Sequence, residues 1–335
     1  MPAVLQAALA APVPHPVQTL PPRLARWAGA ACGVPYVHER CAPVTRAPGP
    51  EILVTALVHG NEYSGAIALG ELLASGWLPA RGRVTGAFCN IAAFDRFDVQ
   101  QPDASRFVDE DFNRVWSTQL LDSNRQSAEL DRARELRPFV DRASHLLDLH
   151  SMHEPCAPLL VTGTLQRNID FAQSLRTASQ VVVDSGHADG VRMRDYGAFA
   201  DEKGERIALL LEAGQHWDLR AVSAARDTLM RFLIRAGACD RAEAPPGWLL
   251  PDATPPAPIE VTDRVVAQSM DFEFVQPFTG GETIAHAGTV IARDGDQNIV
   301  TPCDDCVLVM PSLRQLRPGV TTVRLGRRMA PVNLL

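Results

Sequence analysis

Residues 51–76 read EILVTALVHGNEYSGAIALGELLASG, and the fold turns on how this stretch is parsed. Ile52 to Val58 is apolar but for Thr55 and rich in β-branched side chains; a polar break, His59-Gly60-Asn61-Glu62, follows. A short run of this kind predicts a strand covered on both faces. Beyond the break, SGAIALGELLASG has the spacing of an amphipathic helix, with Gly76 near its end. GRVTGAFCNI then reads as the next strand. Strand, helix, strand in this order is the unit of an α/β sheet.

The alternation continues. SAELDRARELRPFVDRA is a charge-laced helix leading into the apolar HLLDLH; APLLVTG, SQVVVDS and ERIALLLEAG read as strands, and LRAVSAARDTLMRFLIRAG as a helix stopped by Gly237. The expectation is an α/β fold, a mixed central sheet flanked by helices, over residues 1–243. Residues 244–260, APPGWLLPDATPPAPIE, hold too many prolines for a helix or a central strand and read as a linker. Residues 261–335 carry short strand-like pieces between Gly, Pro and Asp, which predicts a small C-terminal all-β domain.

The 335-residue chain is 46% hydrophobic and 21% charged, as a packed soluble protein should be. A formal net charge of −7, with no basic run, argues against a nucleic-acid surface. Lys203 is the single lysine among 32 basic residues, a bias that carries no function. The N-terminal MPAVLQAALAAPVPHPVQTLPPRL lacks a basic start and is broken by prolines, so neither a secretion signal nor a membrane span is expected. Seven scattered cysteines suit reduced thiols in a cytoplasm; Cys303-Asp-Asp-Cys306 has no second pair and reads as plain cysteines. Whether the chain is a homo-oligomer stays open.

Ligand sites in open α/β sheets gather at the C-terminal ends of strands. His59 and Glu62 follow one predicted strand, His150 closes a second and Glu212 a third. Two histidines and a carboxylate are a three-ligand set for catalytic zinc, and a further glutamate supplies a base for its water. On this reading the strand places His59, Gly60 lets the backbone turn, and Glu62 returns to the same ion. Taken singly, a strand-end histidine, an HxxE spacing and a strand-terminating acid are each ordinary; their arrival on successive strand ends is the signal. RFVDEDFNRVW, residues 106–116, adds Arg106, Asn113 and Arg114. An arginine fork can bind a carboxylate through two hydrogen bonds and another can stabilise charge on a carbonyl oxygen, although such a stretch also suits a charged surface loop.

HGNE, RFVDEDFNR, LLDLHS and LLLEAGQ, in this order, resemble the succinylglutamate desuccinylase/aspartoacylase family, a branch of the zinc carboxypeptidase fold. The resemblance spans residues 50–217, with a trace in VLVMPSLRQLRPGV. It implies one Zn²⁺ per chain held by His59, Glu62 and His150, with Glu212 as general base and proton shuttle. Arg106 would polarise the scissile carbonyl, and Asn113 and Arg114 would hold a substrate carboxylate. Asp148 is a candidate outer partner of His150, and His216, in EAGQHWD, a candidate substrate contact. His153 and His286 read as ordinary polar residues.

The chain also departs from the pattern. Aspartoacylase-like members carry an arginine about ten residues before the catalytic glutamate, gripping the aspartate side chain. Here that neighbourhood is YGAFADEKGERIALLLE, with Glu202 near the position and Lys203 and Arg206 beside it; residues 261–335 hold no tyrosine for substrate. The implied activity is removal of an acyl group from a small N-acyl amino acid. A metallocarboxypeptidase acting on short peptides is the rival enzyme, and a non-catalytic zinc or ligand-binding protein the rival of another class.

Overall fold

The computed structural model describes residues 15–43, 48–186, 189–254 and 256–329; the expectation that the N-terminus is no signal falls mostly on residues 1–14, outside this set. The strands of the first two-thirds are β1 (Val37–Cys41), β2 (Glu51–Ala56), β3 (Arg83–Phe88), β4 (His145–Met152), β5 (Leu159–Val161), β6 (Gln180–Val183) and β7 (Ile207–Gln215). Four principal helices lie between or after them: α1 (Ser64–Ala74), α2 (Ala128–Arg142), α3 (Gln166–Ser174) and α4 (Leu219–Arg235). Neighbours across the sheet run β1-β3-β2-β4-β7-β5-β6, with β3, β2, β4 and β7 mutually parallel, β1 antiparallel to β3, and β5 antiparallel to β7 but parallel to β6.

The period of two along each strand divides its side chains between two cores. Ile52, Val54 and Ala56 join Leu147, Leu149, Leu209 and Leu211 against α1, α3 and α4, whereas Leu53, Leu146 and Ala208 face α2. Burial on both faces is why β2 reads as a continuous apolar run. Leu57, completely buried, takes a left-handed φ of 59° directly after β2 and turns the chain toward His59. Such a conformation is unfavourable for a branched side chain and is held by the packing around it.

Gly60 was expected to let the backbone turn, and here the structure corrects the reason. Its φ is not left-handed; instead a Cβ there would sit 2.4 Å from Ser105 O and 2.5 Å from Phe94 N. The residue is small because two backbone segments close on it.

Beyond the proline-rich stretch, β8 (Ile259–Val266), β13 (Cys306–Val309), β14 (Thr321–Arg328) and β10 (Thr283–Ile284) form antiparallel pairs, while β9 (Phe272–Phe274), β11 (Val290–Asp294) and β12 (Gln297–Val300) make a separate three-stranded sheet. β8 pairs in parallel with β6 through Val182↔Ile259 and Val183↔Glu260, so one eleven-stranded sheet runs through both parts of the chain. The C-terminal strands have a core of their own around Phe272, Ile291, Leu308 and Val323, and a seam of Met152, Val161, Leu210, Ile259 and Val307 joins them to the rest. No helix among the described residues is long and apolar enough to cross a membrane, and all seven cysteines are free.

His145 opens β4 with its ring 5.8 Å from that of Phe171 and 6.3 Å from Phe232. Burial, helped by Arg235, draws its pKa from 6.5 down to about 4. The unfolded chain therefore takes up the proton first: stability from the neutral ring is complete above about pH 6.5 and is lost as pH falls through about 4. Urea unfolding at pH 7 and pH 4.5 should show the wild type losing about 2 kcal/mol more than His145→Phe across that interval.

Candidate active site

The register of the parallel strands builds the site. His150 on β4 pairs with Glu212 on β7, so the two side chains leave the same face of the sheet as neighbours. Asp148, two residues before His150, shares that face. His59 and Glu62 arrive from the turn after β2, which lies beside β4. One ligating atom from each of His59, Glu62 and His150 lies within 4.8 Å of the others, and all three residues are buried.

The hydrogen-bonding geometry fits a divalent cation. His59 Nδ1 lies 2.7 Å from Glu62 Oε1 and His150 Nδ1 3.0 Å from Glu62 Oε2, while each ring's Nε2 faces another carboxylate, Asp111 Oδ1 at 3.0 Å and Asp148 Oδ2 at 2.8 Å. A neutral imidazole has one N–H. At His150 it goes to Asp148 and leaves the Nδ1 lone pair directed at the carboxylate of Glu62, an arrangement relieved by a shared cation, while His59 Nε2 lies between Asp111 and Arg106 Nη2, the latter at 3.1 Å. Thr55 Oγ1 donates to Asp148 Oδ1 at 2.7 Å and fixes that carboxylate in turn. Nitrogen and carboxylate oxygen are zinc's ligand types. Asp148→Asn, which disturbs the tautomer but hardly the shape, should weaken zinc affinity 10- to 100-fold in a chelator competition, roughly the cost of losing such an outer partner.

The segment carrying the arginines is organised by a buried acid that sequence reading missed. Glu129, in the first turn of α2, accepts hydrogen bonds from the backbone N–H groups of Val108 (2.6 Å), Asp109 (3.0 Å) and Glu110 (3.3 Å), and from Asn90 Nδ2 at 2.9 Å. The loop so held directs Arg106 inward, its Nη1 2.8 Å from Glu62 Oε1. Asp111 caps the following turn by accepting from Asn113 N at 2.8 Å. Asn113 Oδ1 accepts from Met193 N at 3.0 Å and Arg114 Nη1 donates to Asn113 O at 2.7 Å.

Glu212 is the exception to this saturation. Its Oε2 is buried without a hydrogen-bond partner among the described residues, and the residue lines a cavity of about 500 Å³. Burial first, and the charge of Glu62 second, raise its pKa from 4.5 to about 8. A carboxyl poised near neutrality is suited to taking and returning a proton, and a cation beside it would favour its charged form.

The same cavity is lined by His59, Glu62, Arg106, Asn113, Arg114 and His150, and roofed by residues 310–312, 315 and 317–321 of the C-terminal part. Sequence reading missed two further basic residues on its wall, Arg192 and Arg324. They share Asp184, whose Oδ2 lies 2.9 Å from Arg192 Nη2 and 3.2 Å from Arg324 Nε. Both guanidiniums are buried, Arg192 Nη1 has no partner among the described residues, and burial pulls Arg324 down to about 10. With Arg114 they give that end of the cavity an excess of positive charge. No spacing in the sequence marks them, because Arg192, Arg324 and Asp184 come from three separate segments.

His216 is not on the cavity wall. It is fully buried, its ring 2.8 Å from Ser151 Oγ and 3.1 Å from His153 Nδ1, and His153 occupies the wall in front of it. Lys203 is exposed and hydrogen-bonds through its backbone to Asp201.

Comparison with known proteins gives the family and the fold. Residues 48–236 match the model of the succinylglutamate desuccinylase/aspartoacylase catalytic domain. A succinylglutamate desuccinylase of Burkholderia cenocepacia is 27% identical over 303 residues, 83% of this chain and 82% of that protein. Among solved structures, a succinylglutamate desuccinylase of Vibrio parahaemolyticus superposes with TM-score 0.62 at 17% identity, over 88% of this chain and 87% of that one. A succinylglutamate desuccinylase/aspartoacylase of Rhodobacter sphaeroides gives 0.62 at 18% identity, over 90% and 99%. At such identities the structural likeness speaks for the fold, a large mixed sheet with a small antiparallel one. The matched domain covers more than half of the sequence and contains His59, Glu62, Arg106, His150 and Glu212, and the chain therefore belongs to the succinylglutamate desuccinylase/aspartoacylase family.

Proposed function

We propose that this chain is a zinc-dependent amidohydrolase that removes the acyl group from a small N-acyl amino acid. The observation that carries the reading is the meeting of His59, Glu62 and His150 in one cavity with Glu212, whose Oε2 has no hydrogen-bond partner among the described residues. His59, Glu62 and His150 would hold the zinc, whose chemistry is to acidify water and polarise a carbonyl. Glu212 takes the proton of the attacking water at its carboxylate and returns it to the leaving nitrogen. Arg106 stands beside the ligand group, where a guanidinium stabilises charge developing on the carbonyl oxygen.

Asn113 and Arg114, joined by Arg192 and Arg324, favour an amino-acid portion that carries carboxylate. These arginines stand where the sequence, lacking an arginine ten residues before Glu212, gave no sign of a further carboxylate grip. In this reading residues 1–243 form a carboxypeptidase-like catalytic domain, the proline-rich stretch 244–260 a linker, and residues 261–335 a small β domain that roofs it. A roofed cavity of about 500 Å³ is the size of a small-ligand site and leaves little room for a peptide chain. Amine release from N-acyl amino acids, measured beside release from tripeptides, tests this: turnover of the former alone is expected, and turnover of peptides alone would favour a carboxypeptidase.

A further inference from the structure

Asp103, His153, His216 and Ser151 form a chain of polar contacts behind one wall of the cavity, and the hydrolytic steps leave it without a task. Ser151 Oγ lies 2.8 Å from His216 Nδ1, His216 Nε2 lies 3.1 Å from His153 Nδ1, and Asp103 Oδ1 is 3.6 Å from the same His153 nitrogen. The two rings meet edge to face with centroids 4.7 Å apart. Both nitrogens of His216 are therefore engaged inside the protein. His153 differs: its side chain is 15% exposed on the cavity wall, and among the described residues its Nε2 has no hydrogen-bond partner.

The surroundings fix both the state and the place of this ring. Burial first, and for His216 the neighbouring His153, push both imidazoles below their ordinary range, so both are neutral at pH 7. In a neutral ring whose Nδ1 is already engaged, Nε2 is left to make one directed hydrogen bond. His153 directly follows β4, with Asp103 beside it, whereas Arg192 and Arg324 meet at Asp184 just past β6, three strands further along the order β4-β7-β5-β6. His153 thus stands away from the arginine end that Arg192 and Arg324 form. Asp103 is held in turn by Arg314 Nη1, at 2.7 Å, from the C-terminal roof.

We propose that His153 is a substrate-contacting residue whose Nε2 hydrogen-bonds a polar atom in the acyl half of the substrate, and that His216 is its positioning residue. The proposal rests on the deacylase reading, in which the amino-acid carboxylate occupies the arginine end and the acyl group must run the other way, past Met152, His153 and Glu154. It adds a preference within that reading: an acyl group with an oxygen beyond the scissile carbonyl, such as glycolyl or succinyl, over plain acetyl.

Binding to zinc-loaded Glu212→Gln protein, measured by calorimetry, separates this proposal from the question of turnover. The ligands are the N-acetyl, N-glycolyl and N-succinyl derivatives of one dicarboxylic amino acid. Adding His153→Leu should reduce the preference for glycolyl and succinyl over acetyl at least tenfold. His153→Gln, which keeps a hydrogen-bonding group, should restore it to within about threefold, and His216→Phe should lower it in the same sense. An equal change for all three ligands, or no change, overturns the proposal. Wild-type protein that binds the panel selectively but hydrolyses none of it overturns the deacylase reading and leaves the His153 contact standing; no binding at all overturns both. Should His153→Leu fail to fold, the comparison of His153→Gln with His216→Phe decides by the same ratio.

Discussion

Glu212→Gln should lower kcat by about a thousandfold while the protein still binds one zinc per chain. The substitution keeps the volume of the side chain and removes the group proposed to take the proton. Because the buried Oε2 of Glu212 has no hydrogen-bond partner among the described residues, glutamine can occupy the same space without breaking a bond seen there, so folding should be little disturbed. Metal content and unfolding midpoint check these two conditions, and steady-state kinetics reads the loss. The raised pKa of about 8 gives the expectation a pH dependence. In metal-free protein Glu212 is protonated at pH 7 and gives up its proton as pH rises through about 8; loading with a cation moves this ionisation to lower pH. A variant with near-normal kcat would remove Glu212 from the mechanism.

Arg192→Ala should reduce kcat/KM for a carboxylate-bearing acyl amino acid by about a hundredfold, and Arg114→Ala by a similar factor, since truncating one partner of a buried charged contact costs roughly 2–5 kcal/mol. In both variants the loss should fall chiefly on KM, because in the proposed mechanism these guanidiniums orient the substrate and do not touch the reacting bond. Asp184 keeps Arg324 as a partner when Arg192 is lost, which limits the damage to the fold. Amidated substrates, which lack the carboxylate, should be poor for the wild type and little affected by either substitution. Equal losses on acid and amide would place the arginines in a structural role.

Much of this was legible in the chain. The strands before His59, His150 and Glu212 are short apolar runs ended by a polar residue, and a sheet with parallel centre strands must bring such ends to one edge. What could not be read were relations between distant segments. Glu129 holds backbone groups some 20 residues away, and nothing in its own helix distinguishes it from a surface acid. Asp111 looked like one acid among several in VDEDF until His59 was found against it. Gly60 was rightly singled out, but its reason is the approach of Ser105 and Phe94, which no local pattern displays. His216 drew attention through its nearness to Glu212 in sequence, whereas an extended strand end carried it behind His153. The C-terminal strands were foreseen as β structure, but their edge pairing with β6 depends on tertiary contact alone.

The most direct test of the central claim is metal analysis of the purified protein, combined with amine release from a panel of N-acetyl, N-formyl and N-succinyl amino acids. One zinc per chain and turnover of at least one acyl amino acid, abolished by chelation and restored by zinc, are expected. A protein that takes up no metal at His59, Glu62 and His150, or that hydrolyses the panel equally well after chelation, would contradict it.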